Sequence, residues 1–133
     1  MSQVRLEHVN ITVSDPKATA EWLCEIFDWK IRWQGEARNN GTTYHVGSKD
    51  TYLAVYALGD PKEPAEDSYT TRGGLNHVGL VVNDLAAVER RVLKAGYVPH
   101  SHADYEPGKR FYFGDSDGIE FEVIAYDDES KAA

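Results

Sequence analysis

Two stretches of the sequence decide the fold: LEHVNITVSDPKATAEWL at residues 6–23 and LNHVGLVVNDLAAVERRV at residues 75–92. They align without a gap at an offset of 69 residues, with leucine, histidine, valine and aspartate recurring in step. Self-similarity at a fixed spacing is the mark of one structural unit that occurs more than once. The sequence therefore predicts a duplicated module.

Each copy has the same order of strand-like and helix-like segments. An apolar β-like segment, at 4–13 and 75–82, is followed by a stretch with helical periodicity. Asp15 and Asp84 stand where helix N-caps are expected, and Pro16 suits the first helical position, because its missing N–H would be unpaired there. Three more β-like segments follow each helix, at 29–34, 42–46 and 51–58 in the first copy and at 97–102, 109–113 and 119–126 in the second. We predict an α+β fold of two tandem βαβββ modules.

The segment between the copies, residues 59–74, is rich in glycine, proline and charge and has no apolar periodicity. We interpret it as a linker between module one (4–58) and module two (75–126) of a single domain that spans 1–133. The acidic tail, residues 127–133, is predicted to be disordered.

The composition excludes several classes of function. With 41% hydrophobic and 27% charged residues, the chain has the profile of a soluble globular domain, and no apolar run approaches the length of a membrane span. The first residues do not form a secretory signal, and the single cysteine, Cys24, fits a reducing compartment, so we expect a cytoplasmic protein. A net charge of −8 without a basic run argues against a nucleic-acid partner.

Histidine and glutamate residues supply the candidate chemistry. His8 and His77 occupy the same position in the repeat, and Glu120 and Glu122 lie on one face of the last predicted strand. A lone strand histidine is commonly a core or surface residue, and two acids on one face commonly form a solvated surface. Two imidazoles at matched positions together with a carboxylate, however, are a frequent ligand set for divalent transition metals.

Three segments resemble the vicinal oxygen chelate superfamily: LEHVNITVSD at residues 6–15, LNHVGLVVND at 75–84 and FYFGDSDGIEFEVIAY at 111–126. This superfamily includes glyoxalase I, fosfomycin-resistance enzymes, bleomycin-resistance proteins and extradiol dioxygenases. The resemblance covers residues 4–126. It implies that the modules form a curved, half-barrel mixed sheet with the helices outside. Paired modules would enclose a metal ion that the substrate chelates through neighbouring oxygens.

The same resemblance implies a ligand set of His8, His77 and Glu122, the last within the pattern Asp-Gly-x-x-x-Glu. Glu120, two residues earlier, is a lesser candidate. Aligning LAVYAL with FEVIAY puts Ala54 at the fourth ligand position, which argues against glyoxalase I and favours the three-ligand arrangement of fosfomycin-resistance enzymes and dioxygenases. The ion itself, Fe, Mn, Zn, Ni or Co, is left open.

Further polar residues are candidates for binding substrate, by strand parity or by analogy with related enzymes: Asn10, Tyr52, Tyr56, Tyr105, Lys109, Arg110 and Tyr112. For Lys109 and Arg110 a solvated strand edge is an equally good interpretation. His45, His100 and His102 are candidates for acid or base catalysis, with surface positions as the alternative.

The sequence leaves two candidate functions. The first is a metal-dependent enzyme that acts on a small oxygen-bearing substrate, as a dioxygenase, a lyase or isomerase, or a thiol transferase. The alternative is a metal-free drug-binding protein of the bleomycin-resistance type. The resemblance also implies a homodimer, and whether the three ligands meet within one chain or across two stays open.

Overall fold

The computed structural model describes residues 3–127 and divides the chain into two compact units, Met1–Lys62 and Glu63–Ala133. The first unit contains β1 (His8–Thr12), α1 (Pro16–Phe27), β2 (Lys30–Glu36), β3 (Thr42–Gly47) and β4 (Tyr52–Ala57). The second contains β5 (Val78–Val81), α2 (Leu85–Lys94), β6 (His100–Tyr105), β7 (Gly108–Gly114) and β8 (Glu120–Tyr126). The predicted α+β fold of two βαβββ modules is confirmed. Positions 128–133 of the predicted tail lie outside the described residues.

Both units have the same mixed sheet topology. The strand orders are β1-β4-β3-β2 and β5-β8-β7-β6, with the first strand parallel to the last and the other neighbours antiparallel. Asn10 lies opposite Ala54 in the first sheet, and Gly79 lies opposite Glu122 in the second. Because Asn10 and Gly79 are equivalent in the repeat, the duplication is preserved in the register of the strands.

Both helices begin at the predicted aspartates. Asp15 Oδ1 accepts a hydrogen bond from the Ala18 N–H at 3.2 Å, and Asp84 Oδ1 accepts one from the Ala87 N–H at 3.1 Å. Pro16 occupies the first helical position of α1. The local sequence therefore fixes the start of each helix. Neither helix within residues 3–127 has the length and apolar character needed to cross a membrane.

Each helix covers one face of its own sheet. In α1, Leu23 and Ile26 are fully buried, and in α2, Val88 and Val92 are buried, whereas Leu93 is 56% exposed. Strand residues that complete the two cores include Val46, Leu53, Val55, Phe111, Phe113, Phe121 and Val123. Since side chains alternate along a strand, the neighbouring strand residues point to the face away from the helix.

β6 is displaced as a whole from its predicted position, whereas β1 and β5 lie within their predicted segments. The segment 97–102 was expected to be a strand, yet β6 begins only at His100. The Tyr97 N–H donates to the Val92 carbonyl at 3.1 Å and so closes the end of α2, and Pro99 has no N–H to pair in a ladder. Helix termination therefore shifts the strand towards the C-terminus.

Candidate metal centre and substrate pocket

The second unit brings His77 and Glu122 together on the face away from α2. His77 lies directly before β5, which begins later than the predicted 75–82 strand, and the parallel register places Gly79 opposite Glu122. His77 Nε2 is 3.1 Å from Glu122 Oε1, with the two side chains 31% and 14% exposed. Two of the three predicted ligands therefore face each other across neighbouring strands.

The hydrogen bond of the second ring nitrogen of His77 indicates whether the first could bind a metal ion. His77 Nδ1 is 2.6 Å from Asn76 Oδ1, and an N–H at Nδ1 would donate to that amide oxygen. In the neutral ring, Nε2 then presents a lone pair beside a carboxylate oxygen. A cation held between these two atoms would satisfy both, so this donor pair fits a divalent ion in its chemistry.

Two basic residues of β7 have different surroundings. Arg110 Nη1 donates to Glu122 Oε2 at 2.9 Å, and its guanidinium lies 4.7 Å from the centre of the Tyr105 ring. Lys109 points to solvent and is 3.9 Å from Asp104. Arg110 therefore holds one oxygen of Glu122 and leaves the other facing His77. Lys109 is solvated, but it does not lie at a strand edge, because β7 is paired on both sides.

An open pocket of about 400 Å³ lies beside His77 in the second unit; its lining is Tyr69, Asn76, His77, Ser101, Tyr112 and Glu120. The ring of Tyr112 meets the His77 ring edge-on, with 5.5 Å between centroids. Burial, and then the Glu122 carboxylate, raise the pKa of Tyr112 above its usual value. Tyr112 is therefore a neutral phenol that can donate a hydrogen bond at physiological pH.

Tyr69 is a pocket residue that the sequence did not reveal, because it lies in the segment interpreted as a linker. Asp67 Oδ1 accepts from the Tyr69 N–H at 2.9 Å, and the Tyr69 hydroxyl donates to Glu120 Oε1. This bond to the Glu120 carboxylate raises the pKa of Tyr69 to about 12. An aspartate two residues before an aromatic is the only local signal, and it indicates a turn rather than a site.

In the first unit, His8 belongs to a cluster of rings. His8 Nδ1 is 2.8 Å from Glu7 Oε1, and its ring stacks on Tyr52 with 4.8 Å between centroids. His45 stacks on the same tyrosine at 4.7 Å, and Trp33 lies 5.2 Å from His45. Burial is the main cause that lowers the pKa of His45. This unit therefore presents an aromatic face around one candidate ligand.

The register also identifies the counterpart of Glu122. Ala54 pairs with Asn10 as Glu122 pairs with Gly79, and the Ala54 side chain is buried. The alignment that placed alanine at the fourth ligand position is therefore correct, and this position of the first unit has no metal-binding atom.

Two other predicted substrate residues lie in the first unit. The Tyr56 hydroxyl donates to the Arg38 carbonyl at 2.7 Å, and a Cβ at Gly41 would collide with the Tyr56 ring. Asn10 is exposed on β1. Tyr56 therefore holds the loop between β2 and β3, whereas the Asn10 side chain is accessible.

The remaining histidines of the second unit lie on different faces. His100 Nε2 is 3.6 Å from Glu120 Oε2, and its ring stacks on Tyr112 with 6.2 Å between centroids. His102 Nε2 is instead 2.9 Å from Glu89 Oε2, on α2. His100 therefore belongs to the pocket side, and His102 to the side covered by the helix.

Taken alone, neither unit brings three metal-binding side chains of histidine, cysteine, aspartate or glutamate together within the described range 3–127. The second unit contributes His77 and Glu122, and the first contributes His8 as its candidate. A ligand set of these three residues would therefore need both repeats.

A model of the Glyoxalase/Bleomycin resistance protein/Dioxygenase superfamily matches residues 5–123 of the chain. No curated protein is significantly similar to it in sequence. Among solved structures, a glyoxylase/bleomycin resistance protein/dioxygenase domain from Frankia sp. EAN1pec is 25% identical, with a TM-score of 0.78, over 94% of this chain and 99% of that one.

Two further solved structures share the fold at lower identity. Fosfomycin resistance protein FosX from Listeria monocytogenes, complexed with Mn(II) and sulfate, is 17% identical, with a TM-score of 0.73, over 99% of this chain and 100% of that one. TnmS3, an antibiotic binding protein from Streptomyces sp. CB03234, is 15% identical, with a TM-score of 0.71, over 95% and 98%. One fold therefore accommodates both a metal-containing resistance protein and a binding protein.

Proposed function

The chain belongs to the glyoxalase/bleomycin resistance protein/dioxygenase superfamily, and from this premise we propose that it is a divalent-metal-dependent enzyme that acts on a small oxygen-bearing substrate. His8, His77 and Glu122 would hold the ion. The reaction would be dioxygenase-like or fosfomycin-resistance-like rather than that of glyoxalase I.

The observation that carries this proposal is the pairing of His77 with Glu122. An imidazole nitrogen and a carboxylate oxygen lie 3.1 Å apart, and Arg110 holds the second carboxylate oxygen at 2.9 Å. Burying a carboxylate is costly unless it is paired, and Arg110 provides that pairing for Glu122 at a position with little solvent. Such a carboxylate is preorganised for a cation. The Mn(II) bound to the Listeria protein supports this choice of cofactor.

A bound divalent ion would act as a Lewis acid that polarises a substrate oxygen. The chain's own residues would orient the substrate. Tyr112 can donate a hydrogen bond from its phenol, and Arg110 fixes Glu122. Because Ala54 stands opposite Asn10, the first unit offers no carboxylate there to move a proton, which argues against a glyoxalase I reaction.

A metal-free drug-binding protein is the second candidate, and one observation favours it. The first unit exposes a layer of rings formed by His8, His45, Tyr52 and Trp33, with the Arg32 guanidinium 4.5 Å from the centre of the Tyr52 ring. Stacked rings of this kind suit a planar ligand. The fold shared with an antibiotic binding protein is compatible with such a role.

The deciding measurement is the metal content of untagged protein, purified without chelator and then supplemented with Mn²⁺. We expect a transition metal in the wild type and its loss in His8→Ala, His77→Ala and Glu122→Ala, because each change removes one donor. His102→Ala is the matched control, since this histidine also faces a glutamate but on the α2 side.

Unchanged metal content in all three variants would contradict the proposed ligand set. No metal in the supplemented wild type would favour the drug-binding function. We also propose that the working form is a homodimer, as the resemblance implies, and that it is cytoplasmic, as expected from the composition and the single cysteine.

A further inference from the structure

We propose that the pocket beside His77 takes a neutral, hydroxyl-bearing part of the substrate, with the Glu120 carboxylate as hydrogen-bond acceptor and Tyr69 as the residue that positions it. The inference rests on the proposed function and narrows its substrate class. The substrate would carry a hydroxyl group away from its metal-chelating oxygens, and it would not place a phosphonate or carboxylate in this pocket.

The first argument for a neutral ligand is the charge of the residues that line the pocket. Among the described residues that line it, Glu120 is the only carboxylate, and neither lysine nor arginine is present. An anionic substrate group would therefore meet a carboxylate at close range without a compensating cation. Repulsion between like charges is strong where solvent is partly excluded.

The two basic residues of β7 already have partners. Arg110 is paired with Glu122 at 2.9 Å and packs on the Tyr105 ring, and the exposed Lys109 lies 3.9 Å from Asp104. The His77 ring already lies beside Glu122, with Nε2 3.1 Å from Oε1. An anion in the pocket would have to compete with these carboxylates for the same cations.

Glu120 retains capacity to accept another hydrogen bond. Its Oε1 accepts from the Tyr69 hydroxyl, while His100 Nε2 is 3.6 Å from Oε2. An ionised carboxylate has about four lone-pair sites, so a substrate hydroxyl can be added. The hydroxyl groups of Ser101 and Tyr112, also in the lining, can accept or donate to the same ligand.

Tyr69 is held at the pocket by a compact turn. The Asp67 carbonyl accepts from the Thr71 hydroxyl at 2.8 Å, and the Gly74 N–H donates to the Thr71 carbonyl at 2.9 Å. A Cβ at Gly74 would collide with the Ser68 carbonyl oxygen, so this close packing requires glycine. The hydroxyl of Tyr69 is thereby directed at Glu120, whose orientation it fixes.

The test compares two ring compounds of similar size, neutral benzyl alcohol and anionic benzoate. Each is titrated into the full-length, chelator-treated protein, and backbone amide shifts of Tyr69, Ser101 and Tyr112 report binding at the pocket. We expect benzyl alcohol to bind more tightly than benzoate. Glu120→Gln should lower the affinity for benzyl alcohol about tenfold, because it removes the charge of the acceptor. It should raise the affinity for benzoate, because it removes the repulsion between two carboxylates.

Tyr69→Phe should weaken benzyl alcohol less, by a few-fold, because the acceptor remains but is no longer held. It also tests the proposal if Glu120→Gln does not fold. Glu89→Gln is the matched control, since Glu89 also faces a histidine but on α2, and it should change neither affinity.

The inference would be overturned if the wild type bound the two probes with equal affinity. It would also be overturned if the ratio of the benzyl alcohol and benzoate affinities were unchanged in both Glu120→Gln and Tyr69→Phe. These titrations contain no metal. A protein that binds no Mn²⁺ yet prefers benzyl alcohol would therefore contradict the proposed function alone, and one that binds Mn²⁺ without that preference would contradict the inference alone.

Discussion

His8 and His77 occupy one position of the repeat but have different partners. His77 faces Glu122 from the neighbouring strand, whereas His8 contacts Glu7 of its own strand segment and the ring of Tyr52. Three pairs of equivalent residues account for the difference: Glu7 and Asn76, Tyr52 and Glu120, and Ala54 and Glu122. The two copies thus give their equivalent histidines different surroundings.

Arg110 provides the first prediction at this scale. Its side chain is 15% exposed and pairs with a glutamate that is 14% exposed. Arg110→Met leaves that carboxylate without its cation in a site with little solvent. We expect a loss of about 2 kcal/mol in the free energy of unfolding, measured by urea denaturation.

Lys109→Met is the control for this change, on the adjacent residue of the same strand. Lys109 and Asp104 are 63% and 74% exposed and 3.9 Å apart, so we expect a change below about 0.5 kcal/mol. Equal losses of unfolding free energy in Arg110→Met and Lys109→Met would show that the Arg110–Glu122 pair does not stabilise the second unit.

Asp115 provides a prediction of pH dependence. Its Oδ1 accepts from the N–H groups of Asp117 and Ile119, at 3.0 and 2.9 Å, and burial raises its pKa above the ordinary value of 3.8. Because the folded-state pKa is raised, the contribution of protonated Asp115 to stability is complete below the ordinary pKa. It is lost as the pH rises through the raised one.

We therefore expect the free energy of unfolding of the wild type to fall relative to that of Asp115→Asn as the pH rises from about 4 towards neutrality. The asparagine retains the turn acceptor but does not ionise. Denaturation curves at several pH values measure the difference, with the exposed Asp104→Asn as control. A constant difference across this range would mean that the buried carboxyl does not titrate there.

At the scale of elements, the two aspartate caps are equivalent parts of one repeated design. Each accepts a hydrogen bond from the N–H three residues later, at 3.2 and 3.1 Å. We expect Asp15→Ala and Asp84→Ala to lower the free energy of unfolding by about 1 kcal/mol each, as measured by thermal and urea denaturation.

Asp60→Ala, in the loop after β4, serves as the control for the caps and should have little effect. If the two cap variants lost no more stability than this control, packing of the helices would outweigh capping. Unequal losses would instead reveal how differently the two units depend on their helices.

At the scale of the whole molecule, each unit supplies only part of the proposed ligand set. The second has His77 and Glu122, and the first has His8. We expect a homodimer in solution and a ligand set that is completed across two chains. Coexpressed His8→Ala and Glu122→Ala chains should then recover part of the metal that each variant lacks alone, because one of the two sites in a mixed dimer keeps all its ligands.

Metal analysis of the separated mixed dimer measures this recovery, and light scattering measures its mass. If the wild type bound the ion and the mixed dimer did not, ligation across chains would be contradicted. That outcome would place all three ligands within a single chain.

Much of the fold was predictable because its causes are local. The repeat predicted two modules, Asp15 and Asp84 predicted the helix starts, and apolar alternation predicted which face of β8 carries Glu120 and Glu122. The position of β6 was wrong, because the turn after α2 forms through contacts that no periodicity records.

The sequence by itself determined the family, the duplicated βαβββ order and the alanine at the fourth ligand position, since each is written in spacing along the chain. Only the tertiary structure decided that Arg110 holds Glu122, that His102 lies on the helix side and that Tyr69 reaches Glu120. The residues of this last contact, Tyr69 and Glu120, are 51 positions apart. Contacts between such distant residues depend on strand register and turn conformation, which have no periodic signal in the sequence.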